Sequence, residues 1–123
     1  MIHGAVTAGR EPVVRLRVRG PAGAEVDVDL VVDTGYTGAL VLPAAVIAAL
    51  GLPWRSGGAT VLADGSTHQT DYYEAELEWG SGWVADLAMS VGSEALLGMR
   101  LLAGHRLVVE GTPGGAVEIA PWP

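Results

Sequence analysis

The 123-residue sequence contains no cysteine. That excludes a disulfide framework, a thiolate metal site and a cysteine nucleophile, and it is compatible with a reducing compartment. Its basic residues are all arginine, and they form no cluster. With a formal net charge of -7, the chain has no surface suited to neutralising phosphates, so nucleic acid is not an expected partner. The densest run, Arg15-Leu16-Arg17-Val18-Arg19, alternates with apolar residues and reads as the solvent face of a strand. No apolar run is long enough to span a bilayer, and Met1-Ile2-His3-Gly4-Ala5 has no basic segment leading into an apolar one. No membrane association and a cytoplasmic location are therefore expected. His3, His68 and His105 lie far apart without paired ligand spacing, so neither a metal site nor another cofactor is expected.

What is present is half hydrophobic, enough for one globular core and too short for two ordinary domains. A single domain over 1–123 is expected. Apolar residues alternate at Val14, Leu16 and Val18 and again at Val26, Val28, Leu30 and Val32, around the turn Gly20-Pro21-Ala22-Gly23. This predicts a hairpin whose second strand runs into the core near Val31. Pro43 and Gly51 bracket an alanine-rich stretch, Ala44 to Leu50, which predicts a helix of about two to three turns.

Strand character returns at Thr60-Val61-Leu62 and, after Ala63-Asp64-Gly65-Ser66, from Tyr73 to Trp79. Asp-Gly between two strand patterns predicts a second hairpin. A strand near Trp83 to Val91, a short apolar run Ala95-Leu96-Leu97, a brief helix from Met99 to Ala103 and strands at Leu107–Glu110 and Ala116–Ala120 complete the pattern. The expected fold is mainly β with one or two short helices. The apolar strand entering Asp33-Thr34-Gly35 is echoed by the apolar run entering Gly98, and a helix follows each.

Asp33 stands where an apolar strand emerges into a turn, in Val31-Val32-Asp33-Thr34-Gly35. A carboxylate there needs a hydrogen bond or a charged partner. Thr34 brings a hydroxyl, and Gly35 a backbone that allows close approach. The tripeptide alone also suits an ordinary Asx turn, because Asp, Thr and Gly are common turn residues.

Taken in order, Val31-Val32-Asp33-Thr34-Gly35-Tyr36-Thr37-Gly38, the helix through Leu50-Gly51-Leu52, Ala63-Asp64-Gly65-Ser66 and Leu96-Leu97-Gly98-Met99 form a wider pattern. The chain resembles the single-domain retropepsin-like aspartic peptidases from about Val13 to Ile119, nearest to small cellular and prokaryotic members. The resemblance implies a closed β-barrel of the acid-protease type, with one lobe per chain. It implies that Asp33 is the catalytic carboxylate, that the Thr34 hydroxyl ties two catalytic loops together and that Gly35 lies under the substrate. Ala63, Asp64, Gly65 and Ser66 match the tip of a substrate-covering flap. Tyr36 departs from the small residue common after the motif.

Only one Asp-Thr-Gly is present, and the mechanism of such a site needs two carboxylates. A homodimer cleaving a peptide or protein substrate is the expectation, with the terminal segments, especially Ala116 to Pro123, adding strands across the interface as in the relatives the chain resembles. Two other readings stand beside it. One is a catalytically silent peptide-binding module of the same fold, and the other is a structural β domain in which Asp33 caps a turn.

Overall fold

Alternation of apolar and charged residues organises the first large hairpin. In the computed structural model, which describes residues 1–123, β1 spans Ile2–Val6, and β2 (Pro12–Arg19) pairs antiparallel with β3 (Glu25–Val32). One face buries Val14, Leu16, Val18, Val28, Leu30 and Val32. The other carries a ladder of opposite charges, with Arg15 Nε 2.7 Å from Asp29 and Arg17 Nε 3.3 Å from Asp27. Exposed pairs of this kind contribute little to stability, because water screens them. Their value lies in register, because a slip of one residue would expose every apolar side chain and misalign every charge.

The chain continues through β4 (Leu40–Leu42), α1 (Ala44–Leu50), β5 (Trp54–Val61), β6 (Thr67–Trp79) and β7 (Gly82–Ser90). It then forms β8 (Leu96–Leu97), α2 (Met99–Leu102), β9 (His105–Val109) and β10 (Ala116–Pro121). All ten strands belong to one sheet in the order β5-β6-β7-β4-β8-β3-β2-β1-β10-β9. A short additional pairing, Val18↔Leu77 and Arg19↔Glu76, joins β2 to β6 across that order. Arg19 Nε meets Glu76 there at 2.6 Å. The mainly β architecture with two short helices is the one the sequence predicts. The contact that turns the sheet back on itself covers only these two paired positions.

The core is a cluster of 22 buried apolar residues. Leu30, Leu40, Leu42, Leu77, Leu97 and Ile119 are its largest fully enclosed side chains, and no polar side chain is buried among them. Helix α1 lies between Pro43 and Gly51 as expected and buries Ile47 and Leu50.

The differences from the sequence reading have physical causes. Strand β4 was not anticipated because Leu40, Val41 and Leu42 are all buried and so show no alternation. Strand β1 is short and has Gly4 at its centre, and it owes its conformation to β10 and β2 on either side. Strand β5 begins at Trp54 rather than near Thr60, since pairing with β6 carries Gly57 and Gly58 into the ladder. Strand β10 is paired on both sides, so the terminal edge open to another chain is β9.

Candidate active site

Strands β3 and β8 run parallel, with Val31 opposite Leu96 and Val32 opposite Leu97. The N–H of Val31 donates to Ala95 O at 3.0 Å and that of Asp33 to Leu97 O at 2.9 Å. The next residues after the two strands, Asp33 and Gly98, therefore emerge side by side. The echo between the two segments in the sequence is thus a spatial juxtaposition.

Past this point the chain turns sharply. Asp33 Oδ1 accepts the Gly35 N–H at 2.9 Å, and the Tyr36 N–H donates to Asp33 O at 3.2 Å. Asp33 is half-buried, whereas Thr34 and Gly35 are exposed. The Gly35 N–H is the only hydrogen bond to the Asp33 carboxylate within the chain, and the Thr34 hydroxyl makes none.

The turn rests on the segment entering α2. Gly98 N–H donates to Ala39 O at 2.8 Å, Met99 N–H to Tyr36 O at 2.8 Å and Arg100 N–H to Gly38 O at 3.2 Å. Amides at a helix start lack partners in their own helix. Here the carbonyls of the Asp33 loop supply them. Gly98 is required by space rather than by backbone conformation, since its φ of -104° suits any residue. A Cβ there would lie 2.6 Å from Tyr36 Cδ2 and 2.8 Å from Tyr36 O. Tyr36 folds inward over this glycine, and burial pushes its phenol above the ordinary value of 10.0. Its hydroxyl reaches Leu40 O at 3.5 Å, the long limit of a hydrogen bond.

Ala63, Asp64, Gly65 and Ser66 form the exposed tip of the β5–β6 hairpin, as expected. Asp64 Oδ1 accepts the Ser66 N–H at 2.9 Å and the Ser66 hydroxyl at 2.5 Å. The Ser66 hydroxyl, followed by the Ser66 amide, lowers the Asp64 carboxyl below its ordinary value. Gly65 takes a φ of +84°, the left-handed region where a side chain is disfavoured. Every residue of β5 is exposed. At the root, Trp54 Nε1 donates to Asp71 at 3.0 Å, and Arg55 bonds Glu74 at 2.7 Å.

The two expected groups are each formed locally, and no hydrogen bond or ion pair joins the hairpin tip to the Asp33 turn. A cavity of about 710 Å³ lies elsewhere, among Arg19, Arg55, Glu74, Glu76, Asp86 and Arg100 at the hairpin root. Its arginines are paired within the chain, Arg19 with Glu76, Arg55 with Glu74 and Arg100 with Asp86. Asp33 is the better candidate, because it has unused acceptor capacity on a backbone tied down on two sides. The supporting contact between Tyr36 and Gly98 was not read from the sequence, although the apolar-apolar-Gly echo pointed to that glycine. No known family model matches the chain, and no curated protein matches it.

Proposed function

We propose that this chain is one half of a homodimeric, cytoplasmic, retropepsin-like aspartic endopeptidase, with Asp33 of each copy forming the catalytic pair. The observation that carries this reading is the Asp33 turn seated on Gly98. A carboxylate is held there at the end of a buried parallel pair of strands, with the Gly35 amide on one oxygen and the other oxygen free.

One carboxylate supplies either a base or an acid, and peptide hydrolysis by this route needs both. With one Asp-Thr-Gly per chain, the second comes from another copy across a twofold axis. The ionised Asp33 takes a proton from water, whose oxygen attacks the peptide carbonyl carbon, while the protonated Asp33 donates to the carbonyl oxygen. Collapse of the tetrahedral intermediate breaks the C–N bond, and the departing nitrogen receives the proton. In this reading the Asp64-Gly65 hairpin closes over an extended peptide. The cleft in this reading lies between two copies.

A silent peptide-binding module is favoured by one observation, the open and regular β9 edge of the sheet, a surface for taking up an extended peptide by strand addition. Incubating the pure protein with a diverse peptide mixture across a range of pH, with cuts read by mass spectrometry, separates the two. Cleavage that survives a chelator supports the peptidase. Binding of peptides without any cut supports the module.

A further inference from the structure

The two ends of the sheet differ. At one end β5 carries a register irregularity between Trp54 and Ser56 and the adjacent Gly57 and Gly58, features that make an edge a poor template for another strand. At the other end β9 pairs regularly with β10 from His105↔Pro121 to Val109↔Val117. It has no bulge, proline or lysine to blunt it. Val108 and Val109 are 38% and 40% exposed.

The flanking hydrogen bonds establish which way this edge faces. Trp122 N–H donates to Gly104 O at 2.9 Å, and Glu110 N–H to Ala116 O at 2.9 Å. Even-numbered residues of this segment therefore bond to β10. Bonded and unbonded pairs alternate along an antiparallel ladder, so Leu107 and Val109 turn their N–H and C=O groups outward.

We propose that β9 is the edge at which a second copy of this chain joins the sheet, antiparallel and centred on Val108. The proposal rests on the peptidase reading in that such an enzyme is incomplete without a second copy. Charge selects the register. Centring on Arg106 would oppose two guanidinium groups, and centring on Leu107 would face Arg106 with an apolar valine. Centring on Val108 places Arg106 opposite Glu110 of the partner subunit, twice by symmetry, on one face of the joined sheet. Leu107 then faces Val109 of the partner subunit, and their outward backbone groups bond in both directions.

Both charged groups have capacity to spare. Glu110 uses one oxygen for the Ala116 N–H at 2.8 Å and keeps the other. The Arg106 guanidinium lies 5.1 Å from the centre of the Trp122 ring, on the face where Met1, Val108 and Trp122 line a groove of about 370 Å³. Met1 and Trp122 are 65% and 55% exposed, so the face of the sheet that carries Arg106 and Val108 also carries exposed apolar surface.

Sedimentation of the full chain at micromolar concentration, with cleavage assayed in parallel, tests this. Arg106→Glu and Glu110→Arg should each weaken the dimer about tenfold or more, since opposed like charges replace both symmetric pairs. The double exchange should restore it. Val109→Pro removes an N–H that has no partner within the chain and should give a monomer with an unchanged circular dichroism spectrum. If that variant fails to fold, the charge exchange decides. A monomeric wild type, a dimer indifferent to both reversals, or a double exchange that restores nothing would overturn the proposal. A dimer that obeys these substitutions but cuts no peptide upholds the edge and removes the peptidase reading. An active dimer that ignores them removes the edge alone.

Discussion

The N–H of Asp33 donates to the carbonyl oxygen of Leu97 at 2.9 Å, so the candidate carboxylate takes its position from β8, a strand of only two residues. Leu97 is fully buried, and the residue after it carries Tyr36 on its Cα. The site is thus held from beneath by packing as well as by hydrogen bonds.

Gly98→Ala should destabilise the protein by about 1–3 kcal/mol, the usual cost of forcing a methyl group into a filled core. The new Cβ meets the Tyr36 carbonyl oxygen at 2.8 Å, and a backbone atom in that tied loop has little room to retreat. Denaturant unfolding of the two proteins measures the difference. Equal midpoints and slopes would show that the loop yields freely and that the glycine is not a support.

Acid should loosen the hairpin tip. Asp64 is held below its ordinary value of 3.8 by the Ser66 hydroxyl and amide, so its folded-state value lies under the unfolded one. The stabilisation is present above the unfolded value and is lost as pH falls through the folded one. Amide exchange at Ser66, corrected for the intrinsic pH dependence, should lose protection in that acid window, and Asp64→Asn should alter the profile. Protection that stays constant down to the lowest pH would contradict the assigned hydrogen bonds.

Thr34→Ala distinguishes a single chain from a pair. The side chain is exposed and unbonded in the isolated chain, so monomer stability should barely move. If its hydroxyl is buried against a second copy, removing it should weaken the dimer by about 1–3 kcal/mol. Sedimentation equilibrium reads the effect directly, and an unchanged dimer would remove Thr34 from the interface.

Much of this was legible because alternation reports a half-buried strand directly. Arg15 to Arg19 opposite Glu25 to Asp29, and Ala44 to Leu50 between Pro43 and Gly51, stand where their patterns place them. Leu40 to Leu42 carry no period, because both faces of that strand are covered. Val31-Val32 and Leu96-Leu97 could be seen as similar, yet parallel pairing across 65 positions, from Val31 to Leu96, leaves no local signal. Asp33 was identifiable as a candidate from its tripeptide and strand. The inward fold of Tyr36 was hidden, since its contact with Gly98 exists only once β3, β4 and β8 lie together.

Peptide cleavage should follow a bell-shaped pH profile with an acidic optimum. Two like carboxylates facing each other work when one proton is shared between them, so the rate falls when that proton is lost and also when a second is gained. A rate that climbs steadily into alkaline solution would point to another base.

The most direct measurement is cleavage of a peptide mixture by wild-type protein and by Asp33→Asn, with the dimer content of both determined in the same buffer. Asparagine keeps the Oδ1 that accepts the Gly35 N–H, so the turn and the dimer should persist while the base is lost. Cleavage by the wild type that disappears in a dimeric Asp33→Asn protein is the expected result. A dimeric wild type that cuts nothing at any pH, or a variant that cuts as well as the wild type, would contradict the assignment of Asp33 as the catalytic carboxylate.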